Sequence, residues 1–160
     1  MKAKITPFLW FDTQAEAAAD LYVSVFPDSR IVDVVRGSTA PGGDEQVMIV
    51  AFELAGMQLT ALNGGPGHTF TEAVSFVIDC ADQAEVDHYW NALTADGGEE
   101  GPCGWLKDPF GLSWQVVPEA LPRLLGDPDR GKAGRVMQAM LGMKKLNVAE
   151  LERAAAAVPA

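Results

Sequence analysis

The chain has 160 residues, the length of one ordinary domain, and its composition of 48% hydrophobic and 21% charged residues is typical of a globular protein. Its formal net charge is −10. This charge disfavours nucleic acids and anionic membranes as partners, because both are themselves negative.

The cysteine content indicates a reducing compartment. Cys80 and Cys103 are the only two cysteines, too few for a disulfide scaffold, and neither lies in a CxxC or Cys/His cluster. The apolar run near the N-terminus is too short for a signal peptide or a membrane span. We therefore expect free thiols and a cytoplasmic protein.

The first part of the chain predicts a strand, a helix and three further strands. Residues 4–11 are aromatic and apolar, as in a strand. Thr13 and Glu16 form a capping-box pattern at the start of a helix that extends to about Phe26. Ala55-Gly56 is a two-residue hairpin connection between the last two strands. The three strands are predicted at 30–36, 47–54 and 57–62.

The second part repeats this order after a glycine-rich linker at 63–72. A leading strand is predicted at 73–80, and Asp82 with Glu85 forms another capping box before an amphipathic helix. The sequence from Asp108 to Gly111 is typical of a type I turn. The strands after the helix are predicted at about 99–103, 104–108 and 111–118.

This repetition predicts an α+β fold of two βαβββ modules. Module one spans 4–63, module two spans 73–118, and a helical tail occupies 119–156, all within a single domain of residues 1–160. We expect the tail to pack on the domain or on a partner subunit.

Several motifs resemble one known family. ITPFLWFD at the N-terminus, NGGP at 63–66, CGWLKDPFGLSWQVVP at 103–118 and the stretch 127–152 are similar to the PhnB-like proteins. This is the 3-demethylubiquinone-9 3-methyltransferase-like branch of the vicinal oxygen chelate superfamily, which includes glyoxalase and bleomycin-resistance proteins. The resemblance implies paired βαβββ modules forming a curled mixed sheet around a cavity, and a homodimer.

The methyltransferase activity in the family's label is not supported by the glycine pattern. The common doubly wound methyltransferases need a glycine-rich turn between a first strand and its helix. Here Gly64, Gly65 and Gly67 precede a strand. We therefore do not expect S-adenosylmethionine chemistry.

Alternation along the strands predicts which side chains face the cavity. One set is large and apolar, as expected beneath helices: Phe8 and Trp10; Val74, Phe76 and Ile78; Leu112, Trp114 and Val116. The opposite set is smaller and more polar, as expected in a ligand cavity: Pro7 and Leu9; Ser75 and Val77; Ser113, Gln115 and Val117.

The resemblance also allows a test for a metal. In metal-dependent relatives the ligands are typically His and Glu, and their positions fall here on Pro7, on Ala73 or Ser75, and on Gln115. Pro7 and Ala73 have no donor atom, and Glu53 is the only carboxylate predicted to face the cavity. We therefore predict no bound metal and no other cofactor.

Two further residues are candidates for ligand binding. Trp105 begins a strand at the predicted cavity mouth, where its ring could stack on a ligand. His68 in the linker could act as a general base or a metal ligand. The complete set of cavity candidates is Leu9, Glu53, His68, Ser75, Trp105, Ser113 and Gln115.

Three functions remain open at this stage. The first is a metal-independent protein that binds or sequesters a small molecule. The alternative is a lyase-, isomerase- or dioxygenase-like enzyme with a metal held by Glu53, His68 or Gln115. The third is a dimer whose cavity is vestigial. The sequence also predicts homodimerisation, which would cover apolar sheet edges and tail helices.

Overall fold

The computed structural model describes residues 4–38 and 40–157. The chain forms two compact units, with the division between Phe70 and Thr71.

The first unit is a four-stranded sheet with one helix. Its strand order is β1-β4-β3-β2, with β1 parallel to β4 and the other neighbours antiparallel. The elements are β1 (Phe8–Phe11), α1 (Ala15–Val25), β2 (Arg30–Gly37), β3 (Gln46–Leu54) and β4 (Met57–Asn63).

One face of this sheet is covered by α1. The Tyr22 ring lies 6.2 Å from the Phe52 ring, which marks the covered face. Phe52 pairs with Leu59, and alternation places Ala61 on the same face. The covered, buried strand residues are Leu9, Phe11, Val50, Phe52, Leu54, Leu59 and Ala61.

The predicted orientation of β1 is therefore wrong. Leu9 pairs with Ala61 and is only 6% exposed beneath α1, whereas Phe8 is 58% exposed on the opposite face of the first sheet. Parallel pairing with β4 sets the register of β1, and the register decides which alternate residues are buried. The four residues of β1 are all apolar or aromatic, so their own pattern contains no signal for that choice.

The start of α1 also differs from the prediction. The helix begins at Ala15, and Thr13 does not cap it. Instead the Asn63 side chain, at the end of β4, accepts a hydrogen bond from the Ala15 amide at 2.8 Å and donates to the Val47 carbonyl at 3.0 Å. A distant side chain thus satisfies a helix terminus that the local sequence leaves open.

The second unit repeats the strand order of the first. Its sheet has the order β5-β8-β7-β6, with β5 parallel to β8, so the predicted repetition of βαβββ modules is confirmed. The elements are β5 (Phe76–Cys80), α2 (Gln83–Thr94), β6 (Glu99–Glu100), β7 (Trp105–Lys107) and β8 (Ser113–Pro118), followed by α3 (Ala120–Leu125), α4 (Arg130–Leu141) and α5 (Val148–Ala156).

The helix-covered face of the second sheet agrees with the prediction for β8. Leu112, Trp114 and Val116 are buried, as are the α2 residues Val86, Tyr89, Trp90 and Leu93. Val74 is an exception among the predicted core residues, because it precedes β5 and is exposed. The Asp82 cap of α2 is confirmed: its carboxylate accepts a hydrogen bond from the Glu85 amide.

The turn between β7 and β8 is held by a buried carboxylate. The Gly111 amide donates to the Asp108 carbonyl at 2.9 Å, which confirms the predicted turn. Asp108 Oδ1 accepts from the amides of Phe110 and Leu112, and Oδ2 accepts from Trp114 Nε1 at 2.9 Å. The motif DPFGLSW therefore encodes a structural turn.

The tail has its own apolar core and is attached to the second module. Its buried residues are Leu121, Leu124, Val136, Leu146, Leu151 and Ala155. The amides of Cys103 and Gly104 donate to the carbonyls of Met143 and Lys144, both at 2.8 Å. No described helix has the length and apolar character needed to span a membrane.

Candidate functional site

A hollow of about 430 Å³ lies beside β6 and β7 of the second sheet. This volume is within the range that accommodates small organic molecules. Its walls are formed by Glu72, Glu99, Glu100, Gly101, Pro102, Trp105, Leu106, Lys107 and Ser113.

Strand pairing brings the key side chains to one face. Lys107 pairs with Ser113 and Trp105 pairs with Gln115 across the antiparallel strands β7 and β8. Leu106 and Trp114, which alternate with them, are buried on the opposite face, the one covered by α2. The face that carries Trp105, Lys107, Ser113 and Gln115 is hereafter called the open face.

Ser113 is the most unusual residue of the hollow. It is 1% exposed, and its Oγ has no hydrogen-bond partner among the described residues. Nearly all buried polar groups in native proteins are hydrogen-bonded, so an unpaired hydroxyl calls for a physical explanation. A serine hydroxyl can both donate and accept. The wall of the hollow therefore carries an unused hydrogen-bonding group in a buried position.

An ion pair stands beside this hydroxyl. Lys107 Nζ lies 2.6 Å from Glu72 Oε1. The hydrogen bond from Lys107 lowers the pKa of Glu72, and the same contact raises the pKa of Lys107. Glu99 lies opposite Lys107 in the sheet and makes no ion pair or hydrogen bond with the described residues. Glu100 accepts a hydrogen bond from Trp90 Nε1 at 2.9 Å.

A second polar pair extends along the open face. Gln115 Nε2 donates to Ser75 Oγ at 2.9 Å. Four sequence candidates, Ser75, Trp105, Ser113 and Gln115, therefore share this face, and Trp105 and Ser113 line the hollow itself.

The other three candidates lie in the first unit. Leu9 is part of the core beneath α1, so its predicted place in a cavity is incorrect. The Glu53 carboxylate accepts two hydrogen bonds from Arg30, at 3.1 and 3.0 Å. His68 is exposed and meets the Trp10 ring edge-on, with ring centroids 4.7 Å apart.

These residues do not fit a divalent metal. Within the described ranges, no group of three or more His, Cys, Asp or Glu side chains could hold an ion. Glu53 is neutralised by Arg30, and Gln115 offers only an uncharged amide oxygen. Metal sites in proteins normally use three or four ligands of suitable charge.

A larger hollow of about 740 Å³ in the first unit is a weaker candidate for a ligand-binding site. It lies between the start of α1 and the loop before β3, with Asp12, Glu16 and Asn63 in its wall. The amide of Asn63 is hydrogen-bonded at both ends. The only buried side-chain polar atom without a partner among the described residues is Ser113 Oγ, which favours the hollow of the second unit as the candidate site.

Sequence reasoning missed the charged wall of this site. Lys107 follows Trp105 by two residues in a strand, so alternation alone would have placed both on one face. Glu72 lies in a loop and Glu99 in a two-residue strand. Such short segments have no periodicity, and only the folded chain shows that they are close to Lys107.

The fold and its open sheet face define the class of protein. The chain has the vicinal oxygen chelate fold. Among solved structures, protein PA1353 of Pseudomonas aeruginosa is 21% identical, with a TM-score of 0.61, covering 74% of this chain and 98% of that one. The fosfomycin resistance protein FosX of Listeria monocytogenes is 15% identical, with a TM-score of 0.51, covering 74% and 93%.

A closer comparison identifies the family. The model of the 3-demethylubiquinone-9 3-methyltransferase family matches residues 3–117. The PhnB protein of Bacillus cereus, provisionally described as a 3-demethylubiquinone-9 3-methyltransferase, is 32% identical with a TM-score of 0.64, covering 72% of this chain and 99% of that one. The chain belongs to this family. The match does not extend into the helical tail, and no curated protein matches the chain.

Proposed function

We propose that this protein binds a small organic molecule in the hollow beside β6 and β7, and that it does so without a metal. The observation that carries the proposal is the buried, unpartnered hydroxyl of Ser113 on the wall of the hollow. A ligand group that pairs with Ser113 would remove the penalty of burying this hydroxyl, which is about 1–3 kcal/mol. The half-buried Trp105 ring would supply apolar contact.

We do not propose methyltransferase activity for this protein, although the family's description names it. A doubly wound methyltransferase sheet is mostly parallel, whereas each sheet here has one parallel pair, β1 with β4 and β5 with β8. Gly64 is packed against Trp10: a Cβ at this position would lie 2.3 Å from the indole ring. The glycine-rich segment is thus placed by packing against a tryptophan, and no helix follows it.

The test compares Ser113→Ala with Trp105→Ala in a broad thermal-shift screen of small molecules. A ligand of the native state raises the melting temperature by mass action. Hits on the wild-type protein should lose most of their shift in both variants. Without ligand, Ser113→Ala should be as stable as wild type or slightly more stable, because it removes a buried hydroxyl that has no partner. Gain of stability with loss of binding would distinguish a ligand contact from a folding role.

The control for this screen is Ser24→Ala, an exposed serine of α1 outside the hollow, which should keep every hit. A screen without hits, or hits that survive both site variants, would refute the proposal.

Metal independence is tested separately. Elemental analysis of protein purified without chelators should find well below one equivalent of any transition metal. One tight equivalent, whose removal abolishes the thermal shifts, would instead favour a metal-dependent lyase-, isomerase- or dioxygenase-like enzyme.

We also propose that the protein is a cytoplasmic homodimer. Phe8, Val35 and Val77 are exposed large apolar residues on the strands, and burial in a second copy would remove this surface from water. The free thiols Cys80 and Cys103 suit a reducing compartment. Light scattering should give twice the chain mass of 17.1 kDa. A monomer at micromolar concentration would contradict the dimer.

A further inference from the structure

We propose that the ligand of the hollow is an organic cation with an aromatic or other flat apolar body, such as a protonated aryl amine, rather than an anion. This inference rests on the proposed function and adds the chemical class of the ligand. It combines three features of the same wall: an excess of carboxylates, an aromatic ring and the unpartnered hydroxyl of Ser113.

The charge of the wall favours a cation. Two carboxylates, on Glu72 and Glu99, stand on the face of Lys107 against its one ammonium, whereas the Glu100 carboxylate accepts from Trp90 on the side covered by α2. That ammonium is already held by Glu72 at 2.6 Å. Lys144 reaches Glu100 only at 3.8 Å, from outside the lining set. A phosphonate or carboxylate entering the hollow would therefore meet net negative charge, and the net charge of −10 on the whole chain adds to this repulsion.

Glu99 is the carboxylate best placed for a ligand. It is exposed, it faces Lys107 across the β6–β7 pair, and it has no ion-pair or hydrogen-bond partner among the described residues. The Glu99 charge acts on Lys107 only through space, without a direct contact, so its carboxylate oxygens can accept hydrogen bonds from an incoming ammonium group. Glu72, by contrast, would have to exchange its contact with Lys107 for a contact with the ligand.

The Trp105 ring and the Ser113 hydroxyl favour a ligand with a flat apolar body and a hydrogen-bonding group. Trp105 presents a half-buried indole ring on the same sheet face as Lys107, and an indole ring attracts both flat apolar groups and cations. Ser113 Oγ lies opposite Lys107 in the sheet and can accept a hydrogen bond from an N–H group or donate one to an oxygen. A protonated aryl amine offers both the ring and the N–H donors.

The experiment uses three probes with one ring system and different charges: 2-naphthylmethylammonium, 2-naphthylmethanol and 2-naphthoate. Binding to the full chain is measured by calorimetry. The cation should bind about tenfold more tightly than the anion at low salt, and the difference should shrink at about 0.5 M salt, where charges are screened. Glu99→Gln should weaken the cation about threefold and leave the alcohol unchanged. Trp105→Ala should weaken all three probes.

Glu119→Gln is the matched control, because Glu119 is exposed and outside the hollow; it should bind the cation as the wild type does. If 2-naphthoate binds as tightly as the cation, and its binding depends on Trp105, the hollow is a binding site but the ligand class is wrong. If none of the probes binds up to about 1 mM while the thermal-shift screen finds ligands dependent on Ser113, the ligand class is again overturned. Failure of both the probes and the screen overturns the proposed function as well.

Discussion

The Asp108 carboxylate explains the residue types found in the DPFGLSW motif between β7 and β8. Asp108 is 2% exposed and accepts hydrogen bonds from two amides and from the Trp114 indole. A buried carboxylate is tolerated only when such donors satisfy it. The proline, glycine and tryptophan of the motif therefore serve one local structure, which positions Ser113 at the start of β8.

Replacing this carboxylate should destabilise the protein strongly. Asp108→Ala removes the acceptor of two buried donors, Leu112 N and Trp114 Nε1, and of the half-buried Phe110 amide, and we expect a loss of about 3 kcal/mol or more in the free energy of unfolding. Asp108→Asn retains one acceptor oxygen and should show a smaller loss. Urea unfolding followed by tryptophan fluorescence measures both. Asp79→Ala, at an exposed position of β5, is the control and should stay within about 0.5 kcal/mol of wild type.

The Cys80 thiol makes the free energy of unfolding depend on pH at alkaline values. The thiol is buried, and burial raises its pKa to about 12 from an ordinary value of 9.0, with Glu85 adding to the effect. The folded protein therefore keeps the proton in a range where the unfolded chain loses it. The resulting stabilisation is complete below about pH 9 and is lost between pH 9 and 12.

Between pH 9 and 10.5, wild-type protein should lose unfolding free energy more steeply than Cys80→Ala, by up to about 1.4 kcal/mol per pH unit. Lysine and tyrosine titrations occur in both proteins, so the difference between the two slopes isolates the thiol. Parallel slopes would show that the thiol ionises equally in the folded and unfolded states.

At the scale of elements, the attachment of the tail depends on one glycine. Gly104 has φ of +84°, and a Cβ there would lie 2.9 Å from the Val116 carbonyl oxygen and 3.0 Å from Leu146 Cδ1. Its amide also donates to the Lys144 carbonyl. The same residue thus joins β8 to the segment that connects α4 and α5, where a side chain would disturb both contacts.

Gly104→Ala should lower the unfolding free energy by about 2 kcal/mol, because a left-handed alanine is strained and its Cβ is crowded. Hydrogen exchange should accelerate in α5 as the tail loosens. Gly134→Ala is the matched control: Gly134 lies inside α4 with open space around its Cβ position, and alanine should stabilise that helix by about 0.5–1 kcal/mol. Equal effects at the two glycines would contradict this account.

For the molecule as a whole, stability in acid depends on three carboxylates of the second unit whose pKa values are lowered in the folded state. Hydrogen bonds and charges from Lys107, from Gln83 with Lys145, and from Lys132 lower the pKa values of Glu72, Asp87 and Asp127, respectively. Because each carboxylate has a lower pKa in the folded state, it stabilises the protein above its unfolded value of 4.5 for Glu or 3.8 for Asp. This contribution disappears as the pH falls through the folded value.

We expect the unfolding free energy to decline from about pH 5 downwards, and Lys132→Gln to reduce the steepness of the decline, since it removes the partner of Asp127. Lys144→Gln should leave the profile unchanged, because its contact with Glu100 is long, at 3.8 Å. Lys132 and Asp127 are partly exposed to solvent, so added salt should reduce the difference between wild type and Lys132→Gln. Identical acid profiles for all three proteins would rule out the Lys132–Asp127 pair as a source of the decline.

Local sequence determined the elements of this protein and their order. The caps at Asp82 and Asn147, the hairpin at Ala55-Gly56 and the turn at Asp108 rely on residues within a few positions of each other. Their chemistry is therefore visible in the sequence. The repetition of strand, helix and three strands follows from these signals, and so does the open face of β8 that carries Ser113 and Gln115.

Tertiary structure alone decided the register of β1, the cap of α1 by Asn63, and the wall around Ser113. Leu9 and Phe8 are both large and apolar, so only pairing with β4 determines which one is buried. Glu72 and Glu99 meet Lys107 because separate segments come together at one sheet edge. Contacts between residues far apart in the chain leave no periodic signal, since each depends on the packing of all the elements between them.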